Sequence, residues 1–119
     1  MARYEARSVR AFPGDVETVR ALAERVLGAL GGKVRSASDG TALAANFNKK
    51  VGKRYLQNRI DVELRVEPDP DAPGTALVHG LARPVDPLGR PLAFGVLGDP
   101  GAVVLGDVLD AIEGAAGAG

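Results

Sequence analysis

The residues best suited to chemistry in this sequence are a group of cations near its middle. Between residues 46 and 59 the chain carries five basic side chains and no acid, although its formal net charge is zero. The group consists of Lys49, Lys50, Lys53, Arg54 and Arg59, with Tyr55 among them. Cations beside an aromatic ring can hold a phosphate backbone and stack a base. An anionic phospholipid surface would satisfy the same charges.

Two considerations weigh against a dedicated nucleic-acid domain. Such domains usually have a basic overall balance, whereas residues 60–119 of this chain carry ten acids and only three bases. Lysines at a hairpin tip also keep an exposed sheet edge from pairing with other chains. We therefore treat anion binding through residues 49–54 as the alternative function, with nucleic acid a disfavoured partner.

Catalytic chemistry has little to build on in this sequence. The chain has no cysteine and a single histidine, His79. That histidine could act as an acid–base group or pH switch, with Glu63 or Arg59 across a strand ladder. A lone strand histidine with no nucleophile beside it is more often structural, and no phosphate-binding loop or dinucleotide fingerprint is present. We expect a protein that is not an enzyme and that needs no cofactor or metal.

A long β-hairpin is predicted to carry the basic cluster. Its second strand alternates Ile60, Val62, Leu64 and Val66 with charged residues, and its first alternates Thr41, Leu43, Ala45 and Phe47 with alanine and asparagine. A strict period of two indicates strands with one buried face. A two-residue turn with Gly52 at its second central position would set Phe47 opposite Leu56 and Leu43 opposite Ile60. Asn58 would then be the one polar residue on the inner face, and it would need a partner or a cavity.

The remaining elements follow from periodicity and from breaking residues. A strand is predicted over 3–12, and a helix capped by Asp15 has apolar residues at helical spacing and ends at Gly31-Gly32. Further strands are predicted over 33–38, before an Asp39-Gly40 turn, and over 75–83 with ambiguous inward parity. A short helix over about 88–97 and a terminal helix over 102–113 complete the chain. Residues 1–113 form one domain in this interpretation, and 114–119 form a flexible Gly/Ala tail.

This order predicts an α+β domain with a curved antiparallel sheet of about five strands, β-α-β-β-β-β-α, and helices on one face. The order is similar to that of helix-grip folds, the TBP-like and START-like group, in which a curved sheet wraps a C-terminal helix. The resemblance spans residues 3–113 and rests on element order alone. It implies an apolar small molecule or lipid held between sheet and helix, although a fold does not fix a function.

The residues expected to line that groove are an apolar pair and two polar groups. They are Phe47, Asn58, His79 and Phe94, a mixture typical of ligand pockets, although the same residues would serve equally as ordinary core. The outer sheet face, with Ala37, Ala42 and Ala44, is smooth enough to predict a homodimer. Because no apolar run approaches 18 residues and residues 1–5 lack an apolar signal region, a cytoplasmic location is expected.

Overall fold

A computed structural model describes residues 5–36, 42–92 and 98–118 of the chain. The elements in chain order are β1 (Ala6–Pro13), α1 (Val16–Ala29), β2 (Lys33–Ser36), β3 (Ala42–Phe47), β4 (Lys50–Val51), β5 (Arg54–Tyr55), β6 (Arg59–Pro68), β7 (Thr75–Val85) and α2 (Pro100–Ala118). Five strands form one antiparallel sheet in the order β1-β7-β6-β3-β2, and β4 and β5 form a separate two-stranded hairpin. The predicted α+β class and the β-α-β-β-β-β-α order of the main sheet are confirmed.

The pairing of β3 with β6 differs from the predicted register by four residues. Phe47 lies opposite Ile60 and Leu43 opposite Leu64, whereas the sequence placed Leu56 and Ile60 in those positions. The long ladder stops at Phe47, and the chain then makes the short β4–β5 hairpin before β6 begins. An even shift keeps each residue on its own face because side chains alternate with a period of two. The predicted inner face is therefore right although the register is wrong.

The turn of the short hairpin is also displaced by one position. Val51 pairs with Arg54, so Gly52 and Lys53 are the two central residues. Gly52 has φ 59° and occupies the first central position, which suits a type II′ turn. Asn58 does not face Ala45 as predicted; it lies in a half-buried bend before β6.

Helix α1 forms as the sequence predicts. The Asp15 carboxylate accepts a hydrogen bond from the Thr18 amide at 2.8 Å and caps the first turn. This backbone hydrogen bond lowers the pKa of Asp15, because it favours the charged carboxylate. The helix ends before Gly31, whose φ of 95° takes the left-handed conformation typical of a helix C-terminus.

Helix α2 is longer than the sequence predicts and runs through residues 114–118, which were assigned to a tail. Gly114 is a residue type that commonly ends a helix, and no apolar stripe continues beyond it, so the sequence placed the terminus too early. Both helices pack on the same face of the main sheet and against each other. The buried core contains the inward-facing residues of β3, β6 and β7 and the apolar stripes of α1 and α2.

The layer between the sheet and α2 is filled by side chains. A Cβ added at Gly80 on β7 would lie 2.5 Å from Leu105 Cδ1, so the helix touches the strand backbone there. Just after α1, Phe47 Cζ would lie 2.8 Å from a Cβ added at Gly32. Both Phe47 and Leu105 are almost fully buried. The described residues therefore leave no open groove along the middle of this layer.

The segment after β7 departs from the predicted helix over 88–97. Residues 86–90 form a turn, in which the Asp86 amide donates to the Arg90 carbonyl, and Pro91 makes an isolated bridge with Val85. No helix therefore begins at Leu88, and residues 93–97 lie outside the described part of the chain. The predicted Asp39-Gly40 turn also lies outside it, although Ser36 pairs with Leu43 in the register that this turn requires.

Candidate functional site

The short β4–β5 hairpin docks against the helices. Val51 at its turn is only 2% exposed and belongs to the core. The Gly52 amide donates a 2.8 Å hydrogen bond to the carbonyl of Leu30, at the end of α1. A Cβ at Gly52 would meet Leu30 Cδ2 at 3.2 Å, so glycine allows this close approach. The hairpin is thus a lid-like segment fixed to the end of α1.

An ion pair joins the hairpin to α2. Arg54 Nε donates to Asp107 Oδ2 at 2.7 Å, and a second guanidinium nitrogen lies 3.4 Å from Asp107 Oδ1. The hydrogen bond and the charge of Asp107 raise the pKa of Arg54. Arg54 is therefore directed at a helix carboxylate although its side chain is 54% exposed, and Lys49, Lys50 and Lys53 are exposed beside it.

Tyr55 is the exposed aromatic residue of the hairpin. Its surface is 80% accessible, and the Lys50 ammonium lies 5.1 Å from its ring centroid, within cation–π range. The tip thus presents three lysines and one aromatic ring together, as the sequence predicts. Arg54 lies on the same hairpin but is paired with Asp107, and Arg59 lies outside the hairpin at the start of β6.

A cleft of about 480 Å³ lies between the hairpin, the end of α1 and one face of α2. Leu30 and Val51 supply apolar side chains that are continuous with the core. Charged residues form the rest of the lining: Lys53 and Arg54 from the hairpin, and Asp107 and Asp110 from α2. We call this the hairpin cleft. It could admit a small molecule whose apolar part lies on Leu30 and Val51.

The structure does not bring together the four residues predicted to line a ligand groove. Phe47 is fully buried in the core, and Asn58 lies in the bend before β6. His79 is wrongly placed by the prediction, because even-numbered residues of β7 face inward and His79 lies on the outer sheet face. Its Nε2 is 2.7 Å from Glu67 Oε1, and neither Glu63 nor Arg59 is its partner. Phe94 lies outside the described residues.

Arg59 joins a different group of residues on the outer face of the sheet. A pocket of about 320 Å³ on this face is lined by three basic side chains, Lys33 and Arg35 on β2 and Arg59 on β6. Asn46, Asp61 and the turn from Asp86 to Gly89 complete the lining. We call this the sheet-face pocket. The sequence analysis grouped Arg59 with the hairpin because the two are close in the chain. Only the pairing of β2, β3 and β6 shows that Arg59 shares a pocket with residues of β2.

Sequence reasoning missed most residues of both cavities. Leu30, Asp107 and Asp110 meet the hairpin only because it folds back onto the helices, and no local pattern encodes that docking. The one available signal was Gly52, since a turn glycine permits close approach of another chain segment. Over the ranges that the structure describes, no group of three or more potential metal-ligating His, Asp or Glu side chains occurs. No helix among those same residues has the length and apolar character needed to cross a membrane.

Comparison with known proteins gives a fold rather than a family. Neither the family models nor the curated proteins that were searched contain a match to this sequence. Among solved structures, a START superfamily protein from Mycobacterium smegmatis matches with a TM-score of 0.50 and 11% sequence identity. The match covers 96% of this chain and 97% of that chain. Together with the five-stranded antiparallel sheet and the two helices on one of its faces, this match shows that the chain has a START-like helix-grip fold.

Proposed function

We propose that this chain is a non-enzymatic binding domain that takes an apolar small molecule or lipid into the hairpin cleft. The observation that carries the proposal is the cleft itself, an open depression of about 480 Å³ in which two apolar side chains lie among charged ones. Its apolar side chains, Leu30 and Val51, adjoin the sheet–helix layer. The START-like fold supports a ligand-binding role, because helix-grip folds often hold an apolar ligand between sheet and helix.

The hairpin is suited to admit a ligand because few contacts hold it. In the described residues it is fixed by the Gly52–Leu30 backbone hydrogen bond, by the Arg54–Asp107 ion pair and by burial of Val51. It pairs with itself rather than with the five-stranded sheet. The hairpin can therefore move outward without breaking the main ladder. Outward movement of the hairpin would widen the cleft, and the apolar part of the ligand would lie against Leu30 and Val51.

The test is binding of a neutral apolar fluorophore, Nile red, to the wild-type chain and to variants of Leu30. Leu30→Trp should fill the cleft and weaken binding by at least about tenfold, whereas Leu30→Ala should leave room for the probe. Val9→Trp is the matched control, because Val9 is 55% exposed, pairs with His79 on the outer face of the sheet and does not line the cleft. Circular dichroism of each variant checks that it folds.

Salt provides a second discriminating measurement. Burial of apolar surface should leave the Nile red affinity nearly unchanged between 50 and 200 mM salt. Equal binding by wild-type, Leu30→Trp and Val9→Trp proteins would overturn the proposal. So would an affinity that collapses with salt, since that would place the probe on the charged surface instead.

A second candidate function is binding of an anionic phospholipid surface by the hairpin tip. It is favoured by the exposure of Tyr55 beside Lys49, Lys50 and Lys53, because aromatic rings and lysines both stabilise peptides at membrane interfaces. Replacement of the three lysines by glutamine should abolish sedimentation with phosphatidylserine vesicles at 50 mM salt. Retention of vesicle binding by that variant would exclude this function. Binding of the wild-type protein to single-stranded DNA, lost in the same lysine variant, would instead support the nucleic-acid alternative.

Three further predictions accompany the proposed function. They are the homodimer through the outer sheet face, the cytoplasmic location and the lack of enzymatic activity. The outer face of the described strands carries Arg35, Asp61, Glu63 and Arg83 around one small pocket, so a dimer there would have to pair charges across its interface. Native mass spectrometry of the purified protein would measure the dimer and any retained small molecule in the same spectrum.

A further inference from the structure

The sheet-face pocket lies on the side of the sheet opposite the helices and does not depend on the function proposed for the hairpin cleft. Its strand residues belong to one row of the outer face. Lys33 pairs with Asn46, and Asn46 pairs with Asp61, so the three stand side by side on β2, β3 and β6. Arg35 and Arg59 lie two residues from this row along β2 and β6. Arg35 shares a row with Ala44 and Glu63, whereas Arg59 lies beyond the last pair of β3 with β6, so the two arginines flank the Lys33 row on opposite sides. With strands about 4.8 Å apart and a rise of about 3.3 Å per residue, the backbones of Lys33 and Arg59 are about 12 Å apart, and all three basic side chains line the same pocket.

Both carboxylates in the pocket are already engaged. Asn46 Nδ2 donates a 2.6 Å hydrogen bond to Asp61 Oδ1. Asp86 accepts from the amides of Leu88 and Arg90 at 2.9 Å each and from Arg90 Nε at 3.1 Å. These hydrogen bonds, led by that from the Arg90 amide, lower the pKa of Asp86. Both carboxylates keep their negative charge, but each has a hydrogen-bond donor other than Lys33, Arg35 or Arg59.

The three cations lack such partners among the described residues. No described carboxylate lies within 4.0 Å of a charged nitrogen of Lys33, Arg35 or Arg59. Edge protection explains basic residues on β2, which is an edge strand of the sheet. It does not explain Arg59, which is half-buried at the start of β6, pairs with Val85 on β7 and lies one residue beyond the last pair of β6 with β3. A convergent set of cations with one on an inner strand indicates a site for negative charge.

The far side of the pocket is apolar. Pro87 and Leu88 belong to its lining, and Leu88 is 77% exposed, so its apolar side chain is accessible to a ligand at this edge of the pocket. The pocket volume of about 320 Å³ is at the lower end of the range for small-ligand sites. The geometry therefore suits a small molecule with one charged end and one apolar end.

We propose that the sheet-face pocket binds a small organic anion, with its carboxylate or phosphate group held by Lys33, Arg35 and Arg59 and its apolar part lying on Leu88. Arg59 supplies the central contact, because a guanidinium can bond both oxygens of a carboxylate or phosphate at once. The ligand would be recognised by charge and by one apolar contact. Its site is separate from the hairpin cleft.

The test is a titration of the ¹⁵N-labelled protein with phenyl phosphate, benzoate and inorganic phosphate, followed by amide chemical shifts. Shifts are expected at Lys33, Asn46, Arg59 and Gly89. Arg59→Gln should weaken binding of phenyl phosphate by about tenfold or more, as loss of a charge-assisted hydrogen bond requires. Lys50→Gln is the matched control, because it removes one positive charge from the hairpin instead. The amide spectrum of each variant also reports whether it is folded.

The three probes separate the parts of the proposal. Phenyl phosphate should bind more tightly than inorganic phosphate, and Leu88→Ala should remove that preference. If phenyl phosphate binds more tightly than benzoate, the ligand is a phosphate; if benzoate binds more tightly, it is a carboxylate. Absence of shifts at 10 mM probe, shifts confined to the hairpin lysines, or equal weakening by Arg59→Gln and Lys50→Gln would each overturn the site. The hairpin cleft is tested separately, by Nile red binding to Leu30 variants. A negative result at one site therefore does not affect the test of the other.

Discussion

The two faces of the sheet use their basic residues in different ways. On the side of the helices, Arg54 forms an ion pair with Asp107 above a cleft with apolar side chains. On the open side, Lys33, Arg35 and Arg59 surround a pocket whose acids are engaged by other donors. In the first arrangement the arginine holds the hairpin against α2. The second leaves positive charge available to a ligand.

This difference shows why a basic run in a sequence is a poor guide to a binding surface. Five cations lie between residues 46 and 59, yet the fold divides them between two sides of the molecule. Arg54 is directed at a helix and Arg59 at the outer face, so only the lysines of the hairpin remain as a group. Spatial neighbours, and not neighbours in sequence, decide what each charge can bind.

The largest effect is expected from the filled layer on the helix side. Leu105→Ala should lower the free energy of unfolding by about 2–5 kcal/mol, because Leu105 is 2% exposed and packs on Gly80. Urea denaturation measures this change. Val103→Ala is the control on the same helix, at a 43% exposed site, and should change stability by less than about 0.5 kcal/mol. Equal effects of the two substitutions would mean that the layer is not filled.

A smaller effect should appear when the hairpin arginine is released. Asp107→Asn removes the acceptor of Arg54, so the freed guanidinium adds one cation to the hairpin surface. Binding to phosphatidylserine vesicles at low salt should then strengthen by about fivefold, as one more basic residue near an anionic surface predicts.

The control for this experiment is Asp110→Asn. It removes the same charge one turn along α2, but its partner is Arg10 on β1, at 2.8 Å. If both variants strengthened vesicle binding equally, net charge would explain the result, and the Arg54–Asp107 pair would have no specific part in it.

The smallest effect concerns the turn beside the sheet-face pocket. The pKa of Asp86 is lowered below 3.8, chiefly by the hydrogen bond from the Arg90 amide. Because the folded pKa lies below the unfolded one, the stabilisation is complete above pH 3.8 and disappears as pH falls through the folded pKa. A carboxyl ¹³C titration of Asp86 should give a midpoint below 3.8. A midpoint at or above that value would contradict the hydrogen bonding described for this turn.

The sequence predicted faces better than it predicted pairings. Alternation in β6 identified the buried set correctly, since parity survives any even shift in register. The same property hid the four-residue error between β3 and β6, because Phe47 packs inward whether it faces Leu56 or Ile60. Strand β7 was ambiguous because apolar residues occur on both of its faces, with Leu77 and Leu81 half-buried on the outer one. Only packing of Leu105 against Gly80 fixes its orientation.

The candidate sites could be predicted only in part. The lysines and Tyr55 of the hairpin tip lie close together in sequence, so their grouping was visible. The hairpin cleft depends on contacts between residues far apart, such as Gly52 with Leu30 and Arg54 with Asp107. Likewise, Lys33 and Arg59 line one pocket only because three strands pair side by side. Such groupings depend on how the elements pack against one another. The periodicity of one sequence predicts the elements but not their contacts.

The most direct test of the proposed function is an amide chemical-shift map of the ¹⁵N-labelled protein with a neutral apolar ligand, 1-octanol. Binding in the hairpin cleft predicts shifts at Leu30, at residues 51–54 and at residues 107–110, with little change at Lys33 or Arg59. Shifts confined to the sheet-face pocket, or no saturable shifts at any residue, would contradict the proposal that the hairpin cleft is the ligand site.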